Sequence, residues 1–357
     1  MTNSTPLGSS PLFKSFLWLA ITVISFYILN IGKDLILPFV LAVFIWYLIN
    51  VVSFAITKIK IKGKSLPASL RYIWSGILII GLLGLLFSFI TQNVNDVIQT
   101  APSYQEKVIP LVDKAYELLP FEQPPSLRDF VNQFDFSGMV GSLAGALTSL
   151  AGNAGIISIY VMFLLLEQRS FSPKLRAMSK GTIREQELLE LISQIDKDTR
   201  TYIGIKTFSS ILTGLLSYAI MAIVGLDFAA FWGMLIFFFN FIPTVGSILA
   251  TLFPSLLALV AFDTPLPIIA VIGGVAACQV LVGNFIEPKL MGNSLNLSPL
   301  VILLSLSLWG AVWGVTGMFL CVPITVIGMI ICSHFPQTRP IAILLSSNGR
   351  LKSAKRS

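Results

Sequence analysis

Charged side chains are scarce in this chain. They make up 11% of its 357 residues, whereas a soluble domain carries about 25%. Hydrophobic residues reach 55%, and the mean hydropathy is +0.84. Such a composition excludes an ordinary soluble enzyme and indicates an integral membrane protein, whose surroundings are the lipid bilayer. The net charge of +7 comes from basic residues in short loops and near the C-terminus. This is a pattern of membrane topology, so no nucleic-acid partner is expected.

Residues that carry catalysis or bind metals are equally few. The chain has one histidine, His334, and three cysteines without CxxC or Cys/His spacing, which argues against a disulfide framework and a zinc site. Neither HExxH nor GxxxxGK[ST] occurs, so a zinc protease and an ATP-driven pump are not expected. A Ser-His-Asp arrangement would have to form at the membrane rim around His334. We therefore expect no enzyme activity, no cofactor and no metal.

Three long apolar runs occupy residues 1–92. They lie at residues 16–32, 35–56 and 72–92, and each has about the 17–25 residues of a membrane-spanning helix. The loop 57–71 holds five basic residues and no acidic residue. Because basic loops stay in the cytoplasm, this loop and the N-terminus are predicted to be cytoplasmic.

A polar segment, a further span and a second polar segment follow. Residues 93–141 carry seven acidic and three basic side chains, with apolar residues at helical spacing, which predicts a small helical extracytoplasmic cap. Residues 142–166 form the predicted fourth span. Residues 167–206 carry eight basic and six acidic side chains and an apolar stripe, which predicts a cytoplasmic amphipathic helix. This helix either packs on the membrane surface or on its own protein, or it couples to the fifth span, residues 206–224.

Residues 207–334 form an almost uncharged core that proline and glycine interrupt twice. The first interruption is NFIPTVG at residues 240–246, and the second is WGAVWGVTG at residues 309–317. In lipid, a broken helix is tolerated only where protein or a wet cavity satisfies the freed backbone groups. The breaks therefore indicate two hairpins that carry the function. The basic tail, residues 335–357, is predicted to be cytoplasmic.

The two hairpins have the same internal spacing. Gly225 precedes Gly246 by 21 residues, and Asn296 precedes Gly317 by the same number. Each hairpin follows a span, and the charge pattern inserts the two units in opposite orientations, which is the inverted-repeat architecture of secondary transporters. The alternative is that glycine and proline are simply frequent in membrane helices. The predicted fold is an all-α polytopic membrane protein of about eight spans, including the two broken hairpins.

Residues 283–327, the upstream run FNFIPTVGSILATLFP and the tail RPIAILLS also carry a family resemblance. Together they resemble the autoinducer-2 exporter family of bacterial membrane proteins. The resemblance covers nearly the whole chain. It implies a multi-span permease of the bacterial inner membrane, either for export of autoinducer-2 or for sodium/proton antiport.

The candidate pathway residues lie at the breaks and at the end of the span between them. Glu287 is an intramembrane carboxylate that could take up a proton or a sodium ion, although Lys289 offers it an ordinary interfacial ion pair. Buried amides suit a polyhydroxylated solute, or else they bond helix to helix. The full set of candidates is Asn240, Pro243, Gly246, Gln279, Asn284, Glu287, Lys289, Gly310, Gly314 and Gly317.

The predicted function is secondary transport, with export of a small polar solute such as autoinducer-2 as the first interpretation. A sodium or other cation/proton antiporter is the alternative, and a non-transporting membrane scaffold is the second alternative. The expected partners are accordingly the solute, Na⁺ or H⁺, and a homo-oligomer is left open.

Overall fold

The computed structural model of the chain describes residues 11–57, 67–118, 138, 141, 145, 152–179, 185–292 and 296–351. Three predicted segments are therefore only partly described. Most of the basic loop 57–71 lies outside the described residues. So do nearly all of the predicted cap after residue 118 and the start of the predicted fourth span.

Within the described residues every regular element is helical, and an isolated bridge pairs Leu297 with Ser346. A helix satisfies all its backbone hydrogen bonds internally, which is what a long apolar run in lipid requires. The first helices are α1 (Pro11–Ile31), α2 (Lys33–Thr57), α3 (Ala68–Leu118) and α4 (Ala154–Ser179). The later helices are α5 (Glu185–Val224), α6 (Ala229–Phe239), α7 (Val245–Ala261), α8 (Pro265–Val280), a π-helical turn (Leu281–Ile286), α9 (Glu287–Met291), α10 (Pro299–His334) and α11 (Arg339–Leu345).

Six of the described helical stretches are long and apolar enough to cross a membrane. They are Lys33–Thr57, Ala68–Val94, Ala154–Ala177, Glu187–Val224, Pro265–Met291 and Pro299–His334. Shorter apolar helices occupy Phe16–Ile31, Ala229–Phe239 and Val245–Ala261. The prediction of an all-helical polytopic membrane protein is confirmed, and about eight spans fit these segments.

Two helices are longer than their predicted spans. Helix α3 continues past residue 92 to Leu118 as one helix of 51 residues, and its length of about 77 Å far exceeds the roughly 30 Å of a bilayer core. Helix α4 continues past residue 166 to Ser179. There the Gln168 side chain accepts from Trp46 Nε1 at 2.9 Å and donates to the Tyr72 hydroxyl at 3.0 Å. Gln168 belongs to the segment that the sequence predicts to lie beyond the span, yet it is half-buried and hydrogen-bonded to two other helices.

The predicted amphipathic helix and the fifth span are one continuous helix, α5, of 40 residues. Its first half packs by way of Leu191 and Tyr202, which are 8% and 4% exposed. Both belong to a core cluster that also contains residues of α2 and α10. The amphipathic half thus packs on its own protein and is also continuous with the fifth span, so the coupling interpretation stays a prediction.

Helices α6 and α7 bury their apolar side chains in a second core cluster with α3, α5 and α8. Its largest fully buried side chains include Trp232, Phe231 and Phe253, and the Trp232 and Phe253 rings stack at 5.8 Å. The first hairpin is therefore held firmly on the α5 side of the molecule.

Candidate functional site

The first break is a tight turn between α6 and α7. Pro243 has no backbone N–H donor. Thr244 adopts a φ of 60°, a backbone conformation that residues other than glycine rarely take. At the start of α7 a Cβ atom on Gly246 would lie 1.8 Å from the Phe239 carbonyl oxygen. Only glycine lets the two arms of this hairpin approach so closely.

The second break lies inside α10 at Gly314, which has φ 62° and ψ −143°. The chain reverses there. The reversal is shown by the Ser305 hydroxyl on one arm, which donates to the Cys321 carbonyl on the other arm at 3.1 Å. A Cβ atom on Gly317 would lie 1.9 Å from the Trp309 carbonyl oxygen, and one on Gly310 would lie 2.9 Å from Met318 Cε. Gly317 thus has the same role in the second hairpin that Gly246 has in the first.

Glu287 lies where α9 meets α5. Its two carboxylate oxygens accept from Lys206 Nζ at 2.8 and 3.0 Å, and Oε2 also accepts from the Ser209 hydroxyl at 3.0 Å. The Lys206 and Glu287 side chains are only 10% and 15% exposed. The ion pair that we considered with Lys289 is wrong, since Lys289 is exposed and the partner is Lys206. A carboxylate with a buried cation beside it is an unusual and costly group at membrane depth.

The π-helical turn sets the position of Glu287. It links α8 directly to α9 over Leu281–Ile286 and takes up one more residue than an α-helical turn does. The residues that follow are consequently rotated relative to α8, so Glu287 faces α5 whereas Asn284 is exposed. Gln279 stands earlier, on α8, and is half-buried. Neither of these candidate amides is among the hydrogen-bond partners of Glu287 in the part of the chain that the structure describes.

The buried face of α5 is a polar stripe that the sequence analysis missed. Besides Lys206, four hydroxyl residues on it are fully buried, each with 0% exposure. They are Ser209, Ser210, Thr213 and Ser217. With Lys206 they recur at helical spacing, i, i+3, i+4, i+7 and i+11, so polar periodicity within an apolar run was the available signal.

The stripe runs along much of the bilayer core. Lys206 lies 18 residues before Val224, a distance of about 27 Å along the helix, which is close to the full core thickness. Ser217 lies about 16 Å from Lys206 on the same measure. Over the predicted span 206–224 the ion pair therefore lies near one membrane edge, and the hydroxyls extend from it past the midplane.

Asn240 joins the first break to this stripe. It is 7% exposed, and its Nδ2 donates to the Ser210 hydroxyl at 3.0 Å. On α8, Gln279 Nε2 is buried and has no hydrogen-bond partner among the described residues. The arrangement can therefore exchange hydrogen bonds with a polar solute or bind a cation through oxygen atoms. Among the described residues no cluster of three or more His, Cys, Asp or Glu side chains could hold a metal.

Comparisons with known proteins identify the family of the chain. The model of the AI-2E family transporter matches residues 16–337. The chain is 28% identical over 337 residues to the AI-2 transport protein TqsA of Escherichia coli (strain K12), covering 93% of this chain and 95% of that protein.

Two further relatives are named putative transport proteins. The one from Haemophilus influenzae is 29% identical over 341 residues, 94% of this chain and 96% of the relative. The one from Borreliella burgdorferi is 32% identical over 223 residues, 61% of each chain. Since the family model covers most of the chain, this protein belongs to the AI-2E family of transporters.

Proposed function

We propose that the protein is an ion-coupled secondary transporter that exports a small polar solute, with Glu287 as the group that takes up and releases the ion. The observation that carries the proposal is the buried contact of Glu287 with Lys206 and Ser209. A buried ion pair is a poor way to gain stability, because the desolvation of both charges offsets their attraction. The presence of such a pair in a membrane-spanning helix, near one membrane edge, is better explained by function.

The pair can switch because Lys206 acts as an internal cation. While Glu287 is ionised, Lys206 neutralises it and joins α5 to α9. When Glu287 takes up a proton, or when a sodium ion replaces the ammonium group, this attraction is lost and the two helices are free to separate. Tyr202, four residues before Lys206 on α5 and 4% exposed, is a further titratable side chain on this face of the helix.

The polar stripe provides the solute contacts. The hydroxyls of α5 and the amide of Asn240 can each donate and accept, which matches a polyhydroxylated solute. Autoinducer-2 is the first cargo to test, because one relative over nearly the full length is named an AI-2 transport protein. We place the protein in the bacterial inner membrane with both termini in the cytoplasm, from the loop charges.

A cation/proton antiporter is the second candidate. It is favoured by the same ion pair, since the carboxylate and the Ser209 hydroxyl offer oxygen atoms to a sodium ion without any organic solute. In this candidate Lys206 and the transported cation would compete for Glu287.

Flux in proteoliposomes tests the proposal. We expect counterflow of autoinducer-2 to depend on pH or on sodium, and Glu287→Gln to keep counterflow while losing that dependence. Glutamine retains an oxygen that accepts from Lys206 but cannot titrate. The matched control is Asp263→Asn. Asp263 is an exposed carboxylate at the opposite end of α8 from Glu287, so this variant should keep the pH or sodium dependence.

The outcomes separate the candidates. Sodium flux that moves protons without any solute counterflow would replace the exporter with the antiporter. An unchanged pH and sodium profile in Glu287→Gln would remove Glu287 from the coupling site. If correctly inserted protein shows neither flux, the remaining candidate is a non-transporting membrane scaffold.

A further inference from the structure

A cavity of about 430 Å³ lies on the side of the hairpin breaks that faces α2, α3 and α4. Both breaks contribute to its wall. Residues in or just before the first break line it, namely Phe237, Phe238, Phe239, Phe241 and Ile242, and so do Val315, Thr316 and Phe319 in or just after the second. None of the polar-stripe residues is among the described residues that line the cavity, so the cavity is distinct from the stripe that Asn240 contacts on α5.

The wall offers almost nothing to a polar molecule. Among the described residues that line it, Ser158, Thr207 and Thr316 provide the side-chain polar groups, and the Thr207 hydroxyl already donates to the Ile203 carbonyl at 2.7 Å. None of these described lining residues is charged. A polyhydroxylated solute would lose its hydrogen bonds to water on entry and regain few, so the proposed cargo does not belong here.

An empty cavity of this size would be unfavourable. Protein interiors are packed closely, and side chains that border a void lose their dispersion contacts. Water does not fill an apolar cavity, because it finds too few polar partners there. The space therefore calls for an apolar occupant.

Exposed lining residues on α3 place one opening of the cavity at the depth of lipid acyl chains. Ile80 is 44% exposed and Val315 is 39% exposed, and Gly84 is also exposed. Ile80 and Gly84 stand near the middle of the membrane stretch Ala68–Val94. At that depth the bilayer presents hydrocarbon and not headgroups.

We propose that one acyl chain of a membrane phospholipid occupies this cavity and packs against both hairpin breaks. The chain enters beside Ile80 and Gly84 and reaches the phenylalanine side chains of the first break. It wedges between the hairpins and the α2–α4 bundle. This lipid site goes beyond the proposed transport function and does not depend on the identity of the cargo.

Photolabelling tests the site in the full-length protein. The protein is reconstituted in phosphatidylethanolamine that carries a diazirine near the end of one acyl chain, irradiated and mapped by mass spectrometry. Phe239, Phe241 and Ile242 line the cavity and are only 3%, 3% and 6% exposed, so labelling of these residues requires a chain seated inside the cavity. We expect adducts at these residues. Leu85, which is 71% exposed, reports labelling from the bulk lipid.

Two glycines on α3 provide a matched pair of variants. A Cβ atom on either Gly84 or Gly81 would have no neighbouring atom within 4 Å, but only Gly84 lines the cavity. Gly84→Phe should therefore fill the cavity and lower the adducts at Phe239–Ile242 several-fold relative to those at Leu85. Gly81→Phe should leave this ratio unchanged. Ser158→Leu fills the same space from α4 if Gly84→Phe does not fold.

Three results would overturn the proposal. The first is the absence of adducts at Phe239–Ile242 while Leu85 is labelled. The second is an equal ratio in Gly84→Phe, Ser158→Leu and Gly81→Phe. The third is displacement of the acyl adducts by added autoinducer-2, which would make the cavity a cargo site. None of these results bears on the coupling role of Glu287.

Discussion

The two span-plus-hairpin units close in the same way but use their polar groups differently. The first unit is α5 to α7, and the second is α8 to α10. Each hairpin closes over one glycine, with Gly246 against the Phe239 carbonyl and Gly317 against the Trp309 carbonyl. In the first unit, however, the hydroxyls of α5 form the buried polar stripe, and Asn240 of the hairpin donates to one of them.

In the second unit the polar groups of the hairpin are used for its own anchoring. The Ser305 hydroxyl bonds to Thr325 and to the Cys321 carbonyl, and Trp313 Nε1 donates to the Leu29 carbonyl on α1 at 3.1 Å. The functional contribution of this unit is Glu287, which crosses to Lys206 of the first. Two units with similar hairpins can therefore contribute different groups. In our proposal the first unit offers hydrogen bonds to a solute, and the second offers a charge for coupling.

The sharpest test of the comparison is the orientation of the two units, because its result is all or none. In a variant without the native cysteines, single cysteines at Asp263 and Gln337, both exposed, should react from opposite sides of the membrane, with Asp263 outside. A membrane-impermeant thiol reagent measures this. Cys321 restored alone, at 0% exposure, should react from neither side. Reaction of both exposed positions from one side would disprove the opposed insertion.

The ion pair that joins the units should have the largest effect on stability. Lys206→Met or Glu287→Leu alone leaves a buried charge without its partner, and we expect each to cost about 3–5 kcal/mol of unfolding free energy. The double variant removes both charges and should recover much of the loss. Denaturation in detergent mixtures measures these values.

Lys289→Met is the control for this pair, since Lys289 is exposed, and its effect should stay within about 0.5 kcal/mol. Additive losses in the double variant would show that the two side chains do not interact.

The closing glycines should have a smaller effect that is the same in both units. Gly246→Ala and Gly317→Ala place a methyl group on a backbone carbonyl, so each should cost about 1–3 kcal/mol and reduce transport while the protein still inserts. Gly273→Ala on α8 and Gly328→Ala on α10 are the controls, because an added Cβ meets no atom within 4 Å at either position. Normal transport in both closing-glycine variants would leave the hairpins as packing features only.

The smallest effect should separate the units again. Asn240→Leu and Ser305→Ala each remove a buried hydrogen bond worth about 1 kcal/mol. Only Asn240 faces the stripe, so only Asn240→Leu should raise the KM for the solute. Solute titration of initial counterflow rates measures this. Equal KM values for the two variants would contradict the assignment of the stripe to the solute.

Much of the fold could be predicted because its signals are local. A long apolar run predicts a membrane helix, and glycine and proline indicate where it breaks; Gly246 and Gly317 were both recognised in this way. The helix ends were less predictable. Gln168 was taken to lie beyond a span, because the sequence does not show that Trp46 and Tyr72 satisfy its amide.

The site was only half predictable. Glu287 is conspicuous as an acid in an apolar region, and Asn240 stands beside a break. The partner of Glu287 lies 81 residues away, whereas Lys289 is only two residues away and was the nearer choice in the sequence. The hydroxyls of α5 repeat at helical spacing, but serine and threonine are common in membrane helices, where they bond to their own backbone.

The sequence by itself determined that this chain enters a membrane, where its helices break and to which family it belongs. These properties follow from hydropathy, backbone chemistry and local residue order. Only the tertiary structure decided that Lys206 neutralises Glu287, that Asn240 meets the α5 stripe and that an apolar cavity lies behind the breaks. Such contacts depend on the rotation and packing of whole helices, and a single π-helical turn is enough to change which side chain faces which neighbour.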